Sequence, residues 1–324
     1  MKAYVCRRYG GPEVLELVEL PTPIPDSHDI LIRIHATSVT SGDWRVRSMD
    51  IPRGLRLPAR LALGVTGPRQ PILGTELAGV VEAVGDAVTR FEPGDEVFAF
   101  PGGKMGCHAE YRVLSEDAGI ARKPEGLSFE EAASLSFGGS TALHYLRKAK
   151  IQEGDQVLVI GASGGVGTAF VQLAKHFGAV VTGVTSTGNM DLVASLGADE
   201  VIDYTQEDCL KRGDAFDIIA DTVGATPFSK YKPILKEKGR LLAIAADLPQ
   251  MLAGLWAPLT GSQRVIAGPA EERPEDIPQL AELAASGVLK PVIDRVYSFE
   301  QLPEAHAYVE TGRKKGSVVV RVQG

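Results

Sequence analysis

The chain has 324 residues, 44% of them hydrophobic and 23% charged, with 34 basic against 41 acidic side chains for a net charge of −7. That apolar content suffices for about two packed domains and excludes a wholly disordered chain, while the acidic balance speaks against a nucleic-acid binder, which needs a basic footprint. Its 36 glycines exceed the usual share of about 7%, so the backbone turns tightly, or approaches something closely, in many places.

The first third predicts a mostly β unit: short strand-like runs punctuated by Gly and Pro. Val14 to Leu20 is one run, stopped by the prolines of PTPIP. Asp29 to Ala36 alternates apolar and polar residues, as a half-buried strand does. Gly79 to Val84, Glu96 to Phe100 and Tyr111 to Leu114 continue the series. From about residue 124 the character changes. A helix is expected over Ser128 to Leu146, capped by Ser128. Val157 to Ile160 reads as a buried parallel strand. Then come a helix from Thr168 to Phe177, a strand from Val180 to Val184 and a helix from Met190 to Leu196. Strands at 200–202, 217–220 and 239–246, with a helix after Pro227, extend the alternation of a doubly wound parallel sheet. A helix from Pro274 to Ser286 and two short strands close the chain.

The three cysteines, Cys6, Cys107 and Cys209, are too few and scattered for a disulfide framework. The opening MKAYVCRRYG has no apolar leader core. No window of about 18 apolar residues suggests a membrane span. A cytoplasmic protein with no integral membrane segment and no nucleic-acid partner is the expectation.

The sharpest pattern runs from strand to helix through Gly161-Ala162-Ser163-Gly164-Gly165-Val166-Gly167. In that context a glycine loop serves a dinucleotide: Gly164 lets backbone approach the pyrophosphate, and Gly167 lets the helix pack on the strand. The phosphates sit at the helix N-terminus, where free N–H groups and the dipole favour negative charge. The strict G-x-G-x-x-G spacing is not met, because Ala162 holds a glycine position. Ser163, Gly164, Gly165, Val166 and Gly167 are the candidate loop contacts. At the end of the next strand, where an NAD site usually has Asp or Glu for the ribose hydroxyls, stand Thr185, Ser186, Thr187 and Asn189. Hydroxyls and an amide can donate to a 2′-phosphate that a carboxylate would repel, so NADP is favoured. The other reading is a plain polar turn that caps the helix from Met190. Asp191 reads as a first-turn helix acid.

With these residues in view the chain resembles the zinc-independent, quinone oxidoreductase-like branch of the medium-chain dehydrogenases/reductases. The likeness covers nearly the whole chain. It is carried by the opening 25 residues, ILGTELAGVVEAVGDAV (72–88), FEPGDEVFAF (91–100), AEYRVL (109–114), GASGGVGTAFVQLAK (161–175) and LGADEVIDY (196–204). It implies an α/β protein in which a Rossmann domain (124–270) is inserted into a GroES-like, mostly β domain (1–123 and 271–324). The nicotinamide would lie in the cleft between them. It also implies cofactor contacts at Tyr204, Ala243, Ile244, Ala245, Lys315 and Gly316, beside those read above at Thr185, Ser186 and Asn189, and a homodimer.

Zinc members place Cys and His where this chain has Thr40 and Thr75, with Glu76 retained. Threonine is a poor zinc ligand beside thiolate or imidazole. The four-cysteine structural lobe is also missing, so no metal is expected. Cys107-His108, the adjacent pair near the cleft, reads as packing rather than as a site.

Without a metal to polarise a carbonyl, hydride addition to the β-carbon of an enone or quinone is the easier chemistry, with the charge spreading onto an oxygen held by hydrogen bonds. Relatives often have Asn at the place of Thr40, and Tyr two residues after the match to Asp43, where this chain has Arg45. The candidate catalytic group is therefore Thr40, Asp43, Arg45 and Thr141. Arg45 either stabilises a developing enolate or points to solvent. Thr141 either contacts nicotinamide or bonds back to its own helix. The expected function is an NADPH-dependent, zinc-free reductase of quinones or α,β-unsaturated carbonyls. Alternatives are an enoyl-thioester reductase and an NADPH-binding sensor or structural protein.

The stretch 51–71 carries Arg53, Arg56, Arg60 and Arg69 among Leu55, Leu57, Leu61 and Leu63. It is read as a solvated loop with packed leucines or an apolar lid, ahead of a membrane-surface contact. Pro52 and Pro58 limit any helix there.

Overall fold

The computed structural model describes all residues except 53, 214, 225, 250, 252–261 and 324. Its frame is two large sheets with helices between and around them. The first unit opens with a two-stranded ribbon, β1 (Lys2–Cys6) against β2 (Leu15–Glu19). Its spine is β3 (Asp29–Val39), which runs past the expected end because Ala36 to Val39 stays extended and buried. One edge of β3 pairs β4 (Leu77–Val84). The other edge pairs β6 (Tyr111–Ser115) along 29–33 and the chain's last strand, β15 (Ser317–Arg321), along 36–39. Two register shifts in β3 accompany that change of partner. β5 (Glu96–Ala99), β7 (Ile120–Arg122) and β14 (Ile293–Ser298) complete the sheet, in the order β14-β15-β3-β4-β5-β7 with β6 on β3.

The second sheet is parallel throughout. β8 (Gln156–Ile160), β9 (Val180–Thr185), β10 (Glu200–Asp203), β11 (Phe216–Asp221), β12 (Leu235–Ala243) and β13 (Arg264–Ala267) lie in the order β10-β9-β8-β11-β12-β13. The chain winds outward from β8 one way and from β11 the other, which is the expected doubly wound α/β topology. Ligands in such sheets bind beyond the strands' C-terminal ends, at the switch between the two halves. That switch is β8/β11.

Helices α1 (Ser41–Ser48) and α2 (Arg56–Leu63) lie in the first unit, in a stretch where the sequence reading has no regular element. The expected helix over 128–146 is two pieces, α3 (Phe129–Ala132) and α4 (Ser136–Ala149). Gly138 lets α5 (Gly165–His176) pack closely against α4, since a Cβ there would lie 2.4 Å from the Gly165 carbonyl oxygen. α6 (Met190–Ser195), α7 (Phe228–Tyr231) and α8 (Asp276–Ala285) follow as expected. α9 (Leu302–Glu310), unread in the sequence, buries Leu302, Ala305, His306 and Val309 against α1 and β15. One apolar cluster joins both sheets through α3 and α4, from Ala36, Phe98 and Val319 to Val157, Phe170 and Leu242. Burial of this continuous apolar surface holds the two units as one body.

Candidate functional site

The glycine loop leaves β8 and enters α5 as expected. Gly161 has φ +76, a left-handed conformation that favours glycine. A Cβ on Gly167 would lie 2.1 Å from the Gly161 carbonyl oxygen, so only glycine lets the helix come this close. Gly164 is the N-cap of α5, extended and with no capping side chain. A Cβ there would meet only the Gly161 carbonyl, at 3.4 Å. The first N–H groups of a helix have no partner inside it, so this end offers donors that an anion could take.

Around the loop the structure gathers four of the candidate residues. Thr185 Oγ1 donates to Ser163 Oγ at 2.8 Å. Asn189 Nδ2 donates to Ser163 Oγ and to Ser186 Oγ, each at 3.2 Å. Hydroxyls and amide thus form one cluster between the glycine loop and the end of β9. Tyr204 follows β10, its N–H donating to the Thr185 carbonyl at 3.0 Å and the residue 62% exposed. Asp203, which the sequence reading passed over, stands in the same corner. Its oxygens accept from the Thr187 and Thr205 hydroxyls, and these bonds hold its carboxyl below the ordinary range.

The end of the chain reaches the loop from the other unit. Gly316 N donates to the Ser163 carbonyl at 2.8 Å, with φ +59. Lys315 is exposed, and its N–H donates to Asp294. Its neighbour Lys314 turns inward: Nζ donates to the Gly316 carbonyl at 2.6 Å and lies 2.9 Å from the place of a Gly165 Cβ. Burial pushes this ammonium down to about 8, against the pull of Glu76 and Asp294. The pair Lys314-Lys315 before a Gly and a strand was the available signal. Which of the two turns inward is a matter of packing.

The candidate catalytic residues fall in two places. Thr40 and Asp43 form the capping box of α1: Asp43 N donates to Thr40 Oγ1, and Asp43 Oδ2 accepts from Thr40 N at 2.7 Å. Asp43 is fully buried and also accepts from Thr40 Oγ1 and Gly74 N. Thr75 Oγ1 is 3.3 Å from Thr40 Oγ1. Glu76, beside it, accepts from Ser38 Oγ and, at 2.7 Å, from Phe137 N in the first turn of α4. Burial raises its carboxyl to about 7 against those bonds. The positions where a zinc site would have thiolate and imidazole therefore carry two neutral hydroxyls tied into a hydrogen-bond network. Among the described residues no three His, Cys, Asp or Glu side chains are grouped to hold a metal ion. His108 Nε2 lies 3.1 Å from the Ser38 carbonyl, and Cys107 is buried with its thiol pushed well up. Thr141 Oγ1 donates to the Phe137 carbonyl at 2.7 Å, the back-bond within its own helix.

Arg45 lies elsewhere, on the open side of α1. It lines a pocket of about 290 Å³ with Trp44, Asp50, Ile51 and Pro52, and across it are Val223, Gly224, Ala245 and Asp247. Its guanidinium carbon is 5.8 Å from the centre of the Trp44 ring. Burial lowers the pKa of the guanidinium, with Asp50 acting in the opposite sense. The far wall is formed by residues just past the C-terminal ends of β11 and β12 on the doubly wound sheet, where ligands of such sheets bind. Ala243 and Ile244 lead into that wall, Ile244 N donating to the Asp221 carbonyl at 3.1 Å. Trp44 and the wall residues Val223 and Gly224 have no sequence pattern of their own, since only the docking of the two units makes them neighbours.

Comparison with known proteins adds to this geometry. Residues 26–125 match the family model described as the alcohol dehydrogenase GroES-like domain, and 196–320 the one described as zinc-binding dehydrogenase. The chain is 36% identical to a 2-methylene-furan-3-one reductase of Solanum lycopersicum, over 99% of this chain and 79% of that protein. It is 34% identical to the mitochondrial NAD(P)H oxidoreductase RTN4IP1 of Mus musculus, over 99% of this chain and 89% of that one. Among solved structures, the quinone oxidoreductase from Coxiella burnetii superposes with a TM-score of 0.87 at 31% identity, covering 100% of this chain and 99% of that one.

Proposed function

Because the chain belongs to the quinone oxidoreductase-like branch of the medium-chain dehydrogenases/reductases and is an oxidoreductase that uses a nicotinamide cofactor, we propose that it is a zinc-free, NADPH-dependent reductase of quinones or α,β-unsaturated carbonyls. The observation that carries this is the placing of Arg45: a partly desolvated cation on a pocket whose far wall is the end of the nucleotide-binding sheet.

The cradle fits the cofactor. Gly164 and the α5 N-terminus would hold the pyrophosphate, with the Lys314 ammonium beside them. Ser163 and Ser186, which accept from Thr185 and Asn189, would donate to a 2′-phosphate, and the exposed ring of Tyr204 would lie along the adenosine. Thr141 has spent its proton on Phe137, so it would accept from the nicotinamide amide. Residues 124–270 form the nucleotide-binding unit in this reading, and 1–123 with 271–324 the other.

Bound NADPH supplies the hydride. The protein's part is orientation and charge. Trp44, Ile51 and Pro52 give a flat or apolar substrate its wall. Arg45 faces the oxygen on which negative charge develops, in a site drier than bulk water, where such a charge counts for more. Thr40 and Asp43 hold the start of the helix that carries Arg45. Neutral Thr40 and Thr75 in place of metal ligands leave carbonyl polarisation to this side chain. The relatives' printed substrate classes, a furanone and a quinone, point the same way.

Mixing the protein with NADPH and a panel of quinones and enones, and following loss of NADPH absorbance, tests the reading. Turnover of at least one class, with NADPH preferred to NADH, is expected. Tight NADPH binding without turnover of any of them would overturn it, and turnover of enoyl thioesters alone would reassign the substrate.

A further inference from the structure

Beyond the mouth of the pocket the described residues of 51–71 include a helix. Ile51 and Pro52 line the pocket, and a Cβ on Gly54 would lie 2.7 Å from Leu248 Cβ, so the chain crosses the pocket rim there. α2 follows, turned outward. None of its residues is buried, and Leu57 is 70% and Leu61 61% exposed. Val65, just past the helix, is 62% exposed. Leu57 and Leu61 stand four apart on the helix and so share one face, and Val65 follows beyond Gly64. They do not close over the pocket as a lid, and they do not pack on the body.

Hydrogen bonds hold this segment in place. Tyr9 Oη donates to the Gly64 carbonyl at 2.7 Å, Arg69 Nη2 to Leu61 O at 2.8 Å, and Arg60 Nη1 to Val65 O at 3.3 Å. Arg60 also lies 5.7 Å from the centre of the Tyr9 ring. A Cβ on Gly67 would strike the Arg7 carbonyl and come within 3.1 Å of Arg8 Cα, which sets Arg8 beside this turn. Arg53 lies outside the described residues. In sequence, 51–71 carries four arginines and no acid, in a chain whose net charge is −7.

Large exposed apolar side chains on an ordered element mark a contact surface. Two copies joined on this patch about a two-fold axis would set arginines against arginines, which disfavours a second copy as the occupant. Leucines flanked by arginines suit a surface that is apolar beneath and anionic on top, the interface of an anionic bilayer.

We propose that α2 and the turn through Val65 dock this protein on an anionic lipid surface, with Leu57, Leu61 and Val65 among the acyl chains and Arg56, Arg60 and Arg69 against lipid phosphates. The docked pocket mouth then faces the layer in which a lipophilic quinone or enone dissolves. This last step rests on the reductase reading; the docking does not.

The test is sedimentation with vesicles of phosphatidylcholine alone or mixed with phosphatidylglycerol. Binding to the mixed vesicles should exceed binding to the neutral ones at least about tenfold, and should fall steeply with salt. The double variant Leu57→Asp/Leu61→Asp, at exposed positions, should lose it while keeping the wild-type Tm and the wild-type rate with a water-soluble quinone. Its rate with a long-chain quinone held in the vesicles should drop. Absence of wild-type binding, or binding that the variant retains, overturns the docking. A wild-type dimer that the variant dissociates, with no lipid binding, gives the surface to a second copy instead. Failure of both proteins on every soluble quinone or enone, with vesicle binding intact, overturns only the reductase reading.

Discussion

Glu76 Oε2 accepts the backbone N–H of Phe137 at 2.7 Å, tying the loop before β4 to the first turn of α4. A carboxylate is well placed at a helix N-terminus, yet burial wins and raises this carboxyl to about 7 from an ordinary 4.5. The folded chain therefore keeps a proton that the unfolded chain loses. The stability it contributes is complete below about pH 4.5, declines as pH rises, and is gone above about pH 7, a swing of ~3 kcal/mol. Lys314 acts on the far side: its folded value of about 8 against 10.5 costs stability as pH falls through that window.

Glu76→Gln should flatten the acid-side part. The amide can still accept from Phe137 and donate to Ser38. Thermal denaturation of both proteins at a series of pH values between 5 and 8 should give Tm curves that diverge upward, the variant ahead by several degrees at pH 8. Parallel curves would mean that Glu76 is ionised in the folded protein throughout.

The two loop glycines should fail differently. Gly167→Ala drives a Cβ into backbone at 2.1 Å, and backbone cannot swing aside, so the variant should unfold at a much lower temperature or not accumulate. Gly164→Ala meets only one carbonyl at 3.4 Å and keeps an ordinary φ of −77. Its Tm should hold while NADPH affinity falls at least about tenfold, because the methyl occupies the approach to the pyrophosphate. Fluorescence titration with NADPH beside a melting curve separates the two. Wild-type affinity in Gly164→Ala would remove the phosphates from this loop.

These contrasts follow what a sequence can display. The strand, glycine loop and helix at 156–176 are local, so period and spacing display them, and the cluster of Ser163, Thr185, Ser186 and Asn189 follows from the topology. Thr40 and Asp43 stood out as chemistry but form a capping box, whose Thr-x-x-Asp spacing was equally legible. α2 and α9 were hidden by their prolines and by shortness. Lys314 rather than Lys315 at the loop, Asp203 beside Thr187, and the wall facing Arg45 depend on how the two sheets pack, and no local pattern carries that.

Cofactor choice should turn on the hydroxyl cluster. Ser186→Asp would place a carboxylate beside Asn189 and Thr185. Like charge would then repel a 2′-phosphate and accept from ribose hydroxyls. The ratio of kcat/KM for NADPH to that for NADH should fall at least about tenfold, roughly 1.4 kcal/mol, chiefly through a higher KM for NADPH. An unchanged ratio would show that this corner does not meet the 2′ position.

Arg45 is the side chain on which the chemistry is wagered. Replacing it with Ala leaves Trp44 and the pocket wall in place but removes the cation, and kcat should fall about a hundredfold, the scale of losing one donor at a developing oxyanion. Arg45→Lys should recover part of that, since a point charge remains while the planar fork is lost. NADPH affinity should stay at the wild-type value in both, because none of the proposed cofactor contacts is on the helix that carries Arg45. Steady-state rates with one quinone and one enone, set beside NADPH titrations, give the readout. A change in KM alone, with kcat intact, would make Arg45 a binding residue and leave the oxyanion's donor to Thr75, since Thr40 and Thr141 donate to Asp43 and Phe137.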